Sequence, residues 1–165
     1  MTVARRRQVA VIGKGTPDDE LTAVAEEVGR RLAEAGAVVV CGGLTGVMEG
    51  VARGASVAGG TVIGIVPGSS PEQANEYCTH VVATGVGHAR NLAVVSSGDA
   101  VIAIGGEWGT LSEIAFAREL GRRVVALSSW KVSTGATMEG GPGIESAASP
   151  AEAVELALSG ASQSD

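Results

Sequence analysis

Short apolar runs alternate with stretches of helical spacing along this chain, and that alternation limits its possible folds more than any other feature. Val9–Ile12, Ala37–Cys41, Thr61–Val66, Thr79–Ala83, Ala100–Ile104 and Arg123–Leu127 read as strands rich in Val and Ile. Pro17–Ala35 sets Leu21, Val24, Ala25, Val28 and Leu32 on one helix face. Its ends carry Thr16 as cap, Pro17 as first helical residue, Asp18 and Asp19 near the positive pole, then Arg30, Arg31 and Gly36. Thr45–Val57, His88–Ser97, Thr110–Leu120 and Pro150–Leu158 supply further helices, while the glycine-rich Ser129–Ala148 reads as a loop or irregular strand. The pattern predicts one α/β domain, a doubly wound and mostly parallel sheet with helices on both faces, over residues 9–160. Residues 1–8 and 161–165 are expected to be flexible ends.

Composition agrees. The aromatic residues are Tyr77, Trp108, Phe116 and Trp130, so core volume must come from aliphatic side chains, as in buried parallel strands. A net charge of −6 gives no electrostatic reason to expect nucleic-acid binding, and Arg5-Arg6-Arg7 reads as a solvated tail. Cys41 and Cys78 form no CxxC pair and have no histidine at zinc-ligand spacing, so two reduced thiols and no metal site are expected. The start lacks the apolar run of a signal peptide, and no segment approaches the ~18 apolar residues of a membrane span. A cytoplasmic protein without membrane partners is the expectation.

Three strand-to-helix turns carry glycines, at the strand ends where such folds bind ligands. In Val11–Pro17 the Gly13-x-Gly15 pair lacks the third glycine of a dinucleotide fingerprint, Asp18 standing there, and reads as a plain turn. In Val39–Gly50, Gly42 and Gly43 end a strand and Thr45 opens the next helix. Gly46 falls in its first turn, where either a ligand or a neighbouring backbone would explain it. The third turn is IAIGGEWGTLSEIA, Ile102 to Ala115. Thr110 and Glu113 match a capping box, but that leaves Gly105, Gly106 and Gly109 unexplained. Bare amides at a helix N-terminus can hold a phosphate or carboxylate.

Together, GGLTGVMEGVARGA, GHARN and GGEWGTLSE resemble, in order and spacing, the Lonely Guy family of phosphoribohydrolases, long mislabelled lysine decarboxylases. The resemblance spans roughly Val9 to Leu127 and is strongest to the bacterial branch related to the molybdenum cofactor carrier protein, with a more distant kinship to DprA-type domains. It implies a Rossmann-like domain, a homodimer or higher homo-oligomer, and a nucleotide or pterin phosphate as small-molecule partner. Gly106, Gly109 and Thr110 match the phosphate-holding positions of the family motif PGGxGTxxE, while Arg90 and Glu113 match its catalytic arginine and glutamate. Gly42, Gly43, Thr45, Gly46, Asn91, Gly105 and Trp108 complete the expected ligand-binding set. Trp108 fits equally a base-stacking residue, an interface residue or one packed on its own helix.

Two departures bear on turnover. The motif's proline and second glycine become Gly105 and Glu107, and its Met-x-x-Arg-Lys reads Gly87-His88-Ala89-Arg90-Asn91, losing a lysine. Both changes weaken the case for hydrolysis of a nucleoside 5′-monophosphate more than the case for binding, and they fit carriage of a phosphate ligand without turnover better, with hydrolysis kept as the alternative. No cofactor is expected: pyridoxal phosphate needs a Schiff-base lysine, and the chain holds only Lys14 and Lys131.

Overall fold

The computed structural model describes residues 3–132 and 143–160. Among them, β1 (Gln8–Gly13), β2 (Val38–Cys41), β3 (Val62–Val66), β4 (His80–Ala83), β5 (Ala100–Ile104), β6 (Arg123–Leu127) and β7 (Ile144–Ala147) form one sheet. Its order is β4-β3-β2-β1-β5-β6-β7, and every neighbouring pair is parallel. The helices are α1 (Asp19–Glu34), α2 (Val47–Val57), α3 (Arg90–Ser97), α4 (Trp108–Glu119) and α5 (Pro150–Leu158).

Residues alternating along the central strands serve two cores. Val9, Val11, Val39, Ile102 and Ile104 meet side chains of α1, α2 and α5. Ala10, Ile12, Val40, Val101 and Ala103 meet α3 and α4 instead. Both faces are covered, which is why these strands are continuous apolar runs rather than alternating ones. The expected doubly wound Rossmann-like domain is what the chain forms.

Three local expectations change. Helix α1 starts later than Pro17: Asp18 is the cap, its carboxylate accepting from Leu21 N at 3.1 Å, and so takes the role expected of Thr16. Part of the expected loop is strand β7, an edge strand paired in register with β6 and lacking the apolar run that betrays a central one. The remainder of that loop over residues 133–142, and residues 161–165, lie outside the described residues. Of the basic run, Arg5 pairs with Asp99 at 2.6 Å, and Arg7 Nη1 donates to the carbonyls of Leu158 and Gly160 at 3.1 and 2.8 Å. No helix among the described residues is long and apolar enough to cross a membrane.

Candidate functional site

Strands β1 and β5 lie side by side although far apart in sequence. The chain winds from β1 towards one edge of the sheet and from β5 towards the other, so connections leaving their carboxyl ends diverge and open a crevice. A cleft of about 190 Å³ occupies it, lined by Val11, Ile12, Gly13, Gly15, Gly42, Leu44, Met48, His88, Arg90, Asn91, Glu107, Gly109, Thr110 and Glu113.

Arg90 opens α3 and is only 8% exposed. Its guanidinium lies over Gly42, where a Cβ would come within 2.8 Å of Nη2, so glycine there gives the cation its seat. Nη2 donates to Gly42 O at 3.2 Å, Nη1 donates to the Asn91 side chain, and Nε is buried without a partner. Burial pulls the Arg90 pKa down, with Glu113 and Cys41 opposing. An arginine still remains charged.

Glu113 lies one face away on α4, 7% exposed. Burial pushes its pKa up to about 7, and the positive field of Arg90 only partly opposes the shift. It has no hydrogen-bond or ion-pair partner among the described residues. That independence comes from how α4 begins. The helix starts at Trp108, with Glu107 as N-cap and Thr110 in its third position. Thr110 accepts from the Glu107 amide at 3.4 Å, so the capping box runs Glu-x-x-Thr, not Thr-x-x-Glu as the sequence suggested. Glu113 is thereby released from the cap and turned to the cleft.

The amides of Trp108 and Gly109 sit in the first turn of α4 and have no carbonyl one turn back to bond. Space beside Gly109 is open: an added Cβ would meet nothing within 4 Å. The Glu107 carboxylate lines the same cleft and accepts from Thr16 Oγ1 at 2.7 Å, tying the β1–α1 loop to the start of α4.

Of the expected ligand set, Gly42, Arg90, Asn91, Gly109, Thr110 and Glu113 meet in this cleft. Gly43, Thr45 and Gly46 do not line it. Gly46 has φ +67° and caps α2 rather than lying within it, packed so that a Cβ would come within 2.8 Å of Gly15 O. Thr45 Oγ1 donates to Gly15 O at 2.8 Å. Gly105 and Gly106 line a separate hollow beside Trp130, and Trp108 projects to solvent at 77% exposure. Sequence reading missed Gly13, Gly15, Met48 and His88 as lining residues. The glycine pair was visible but matched no known fingerprint, and Met48 and His88 lie inside the segments that carry the resemblance without holding a position to which the family pattern gives a role.

The profile of the SLOG cluster4 family matches residues 6–154. The chain belongs to that family. An uncharacterized protein from Archaeoglobus fulgidus is 46% identical over 120 residues, covering 73% of this chain and 79% of that one. A probable cytokinin riboside 5′-monophosphate phosphoribohydrolase from Oryza sativa subsp. japonica is 36% identical over 118 residues, 68% of this chain. The match spans 48% of the rice protein, about half its length. Among solved structures, the molybdenum cofactor binding protein from Rippkaea orientalis superposes with a TM-score of 0.85 at 32% identity, covering 93% of this chain and 96% of the other. Relatives of this SLOG cluster4 chain thus include a probable phosphoribohydrolase and a molybdenum cofactor binding protein.

Proposed function

We propose that the cleft binds a nucleoside 5′-monophosphate, its phosphate on the Trp108 and Gly109 amides, and hydrolyses the N-glycosidic bond. One observation carries this reading: a buried carboxyl with a pKa near 7 and a buried cation share a cleft with the free amides of a helix N-terminus. Glycosidic cleavage needs a group able to give a proton to the departing base and then take one from the attacking water. A carboxyl half-protonated near neutrality suits both steps. As the C1′–N bond breaks, the neutral Glu113 acid protonates the base. Its carboxylate then removes a proton from the water that adds to C1′, giving ribose 5-phosphate and free base. Arg90 holds the phosphate or the leaving group in place. Incubation with AMP should release ribose 5-phosphate, and Glu113→Gln should lower the rate by roughly 10²–10⁴. Absence of product with binding intact refutes turnover.

A second reading, carriage of a pterin phosphate without chemistry, is favoured by Asn91 and Glu107. The position that carries a second cation in the family pattern is here an amide engaged by Arg90, and a carboxylate lines the mouth. The likeness to the Rippkaea orientalis protein supports the same reading. It predicts a raised melting temperature with the molybdenum cofactor and no sugar phosphate released from AMP. Under either reading the chain acts as a homodimer or larger homo-oligomer, supported by the exposed Leu92 on α3, Phe116 on α4 and Leu120 at the end of α4. Sedimentation tests that assembly.

A further inference from the structure

The turn from Gly105 to Gly109 walls two cavities, not one. Beside the cleft, a hollow of about 320 Å³ opens at the carboxyl ends of β5 and β6, lined by Gly105, Gly106, Ser128, Ser129, Trp130 and Lys131. Its aromatic wall is fixed in place. Trp130 Nε1 donates to Glu107 O at 3.3 Å, and its ring fills the space that a Cβ on Gly106 would need, 2.9 Å from Nε1. Ser129 Oγ donates to Gly105 O, drawing the β6 end against the same turn. Ser128 holds φ +52°, a left-handed conformation that a non-glycine residue keeps only where its surroundings impose it.

Trp108 completes the arrangement. Its ring centroid lies 5.3 Å from that of Trp130 with planes at 37°, yet 77% of the residue faces solvent. These are the two tryptophans of the chain, drawn together from segments before and after β6. An indole left in water forgoes the burial that makes tryptophan useful in a core. Each cavity also has a cation in its lining: Arg90 in the cleft and Lys131 in the hollow.

We propose that the hollow is a second ligand subsite, and that the molecule takes a phosphate ligand with a group on either side of it. A phosphate on the Trp108 amide sits at the root of the Trp108 side chain, so whatever extends past it runs over the paired indoles. The class is a dinucleotide or other pyrophosphate-linked molecule, its second planar heterocycle stacked on Trp108 and Trp130 and its second phosphate facing Lys131. This rests on the phosphate placement proposed above and extends the ligand beyond a monophosphate.

Titrations of tryptophan fluorescence with AMP and with P1,P2-di(adenosine-5′) diphosphate test it, in the full chain and in Trp108→Ala, with Trp130→Phe as a milder variant. The diphosphate is expected to bind roughly 5- to 150-fold tighter than AMP, the range for stacking one base on an aromatic side chain. In Trp108→Ala, read by calorimetry, the ratio of the two affinities falls to about twofold or less. Equal affinities in the wild-type protein overturn the proposal, as does an advantage that survives Trp108→Ala. If that variant instead dissociates an oligomer and leaves the advantage intact, the indoles belong to a subunit contact and the proposal fails. If AMP does not bind but the diphosphate does, and Trp108→Ala abolishes it, the monophosphate reading falls while the second subsite stands.

Discussion

The β2–α2 and β5–α4 turns look alike as sequence, each a strand running into glycines and then a helix. In space they differ. The β2–α2 turn is closed by protein: Gly46 packs on the backbone of Lys14 and Gly15, the Val47 amide donates to Lys14 O at 3.0 Å, and Thr45 reaches Gly15 O. At the β5–α4 turn the Trp108 and Gly109 amides have no partner among the described residues, and space is open at Gly109. Glycine at a strand end thus has two uses, letting another segment of chain approach or leaving room for a guest. Only the neighbours tell them apart.

The sharpest way to break this comparison is Gly46→Ala. The new Cβ would crowd two carbonyl oxygens from a φ of +67°, where only glycine is at ease. A loss of roughly 2–6 kcal/mol in a denaturant titration is expected from backbone strain and overpacking together. A change below about 1 kcal/mol would mean that the β2–α2 turn is looser than described and available to a ligand.

The paired uses of glycine also explain what the sequence made legible. Central strands were readable because burial on both faces leaves no choice but apolar residues, as in β5, buried throughout. Arg90, Glu113 and the Gly109-Thr110 turn were readable as a set because their order and spacing match a family pattern. The start of α4 was not, since Thr110-x-x-Glu113 and Glu107-x-x-Thr110 both satisfy the spacing of a capping box. Gly43, Thr45 and Gly46 were assigned to the ligand because the residues they pack on, Lys14, Gly15 and Val66, come from other segments. Strand β7 was hidden by its place at the sheet edge, where half-exposed residues suffice.

Glu113 gives the next effect in size, and it sharpens the claim that the β5–α4 side is the chemical one. Its pKa rises on folding from 4.5 to about 7, so the folded protein holds a proton that the unfolded chain has released across that interval. Stability from this group is therefore full below the unfolded value and is lost as pH rises through about 7. The interval corresponds to about 3 kcal/mol. Glu113→Gln should flatten the decline in stability between those pH values and make the protein more stable than wild type above it. The depressed carboxyls of Asp99 and Glu27 titrate lower and do not enter this window. Urea titrations at a series of pH values check the effect, and parallel curves for the two proteins would show that Glu113 is solvated or paired.

The smallest expected change in stability falls at Gly109, the counterpart of Gly46. A methyl there meets no atom within 4 Å, and its backbone is helical, so Gly109→Ala should leave the fold unchanged or firmer by up to about 1 kcal/mol. Its cost should appear in binding alone. The added methyl stands beside the amides that the phosphate would approach, and phosphate affinity should fall by about tenfold or more, as expected for loss of one charge-assisted hydrogen bond. Titration of the variant with AMP, next to its thermal melt, separates the two quantities. If both stability and affinity stay at wild-type values, the guest does not sit on the first turn of α4, and the contrast between the turns has no functional meaning. If affinity falls while the melt holds, open space at Gly109 serves the ligand as surely as crowding at Gly46 serves the fold.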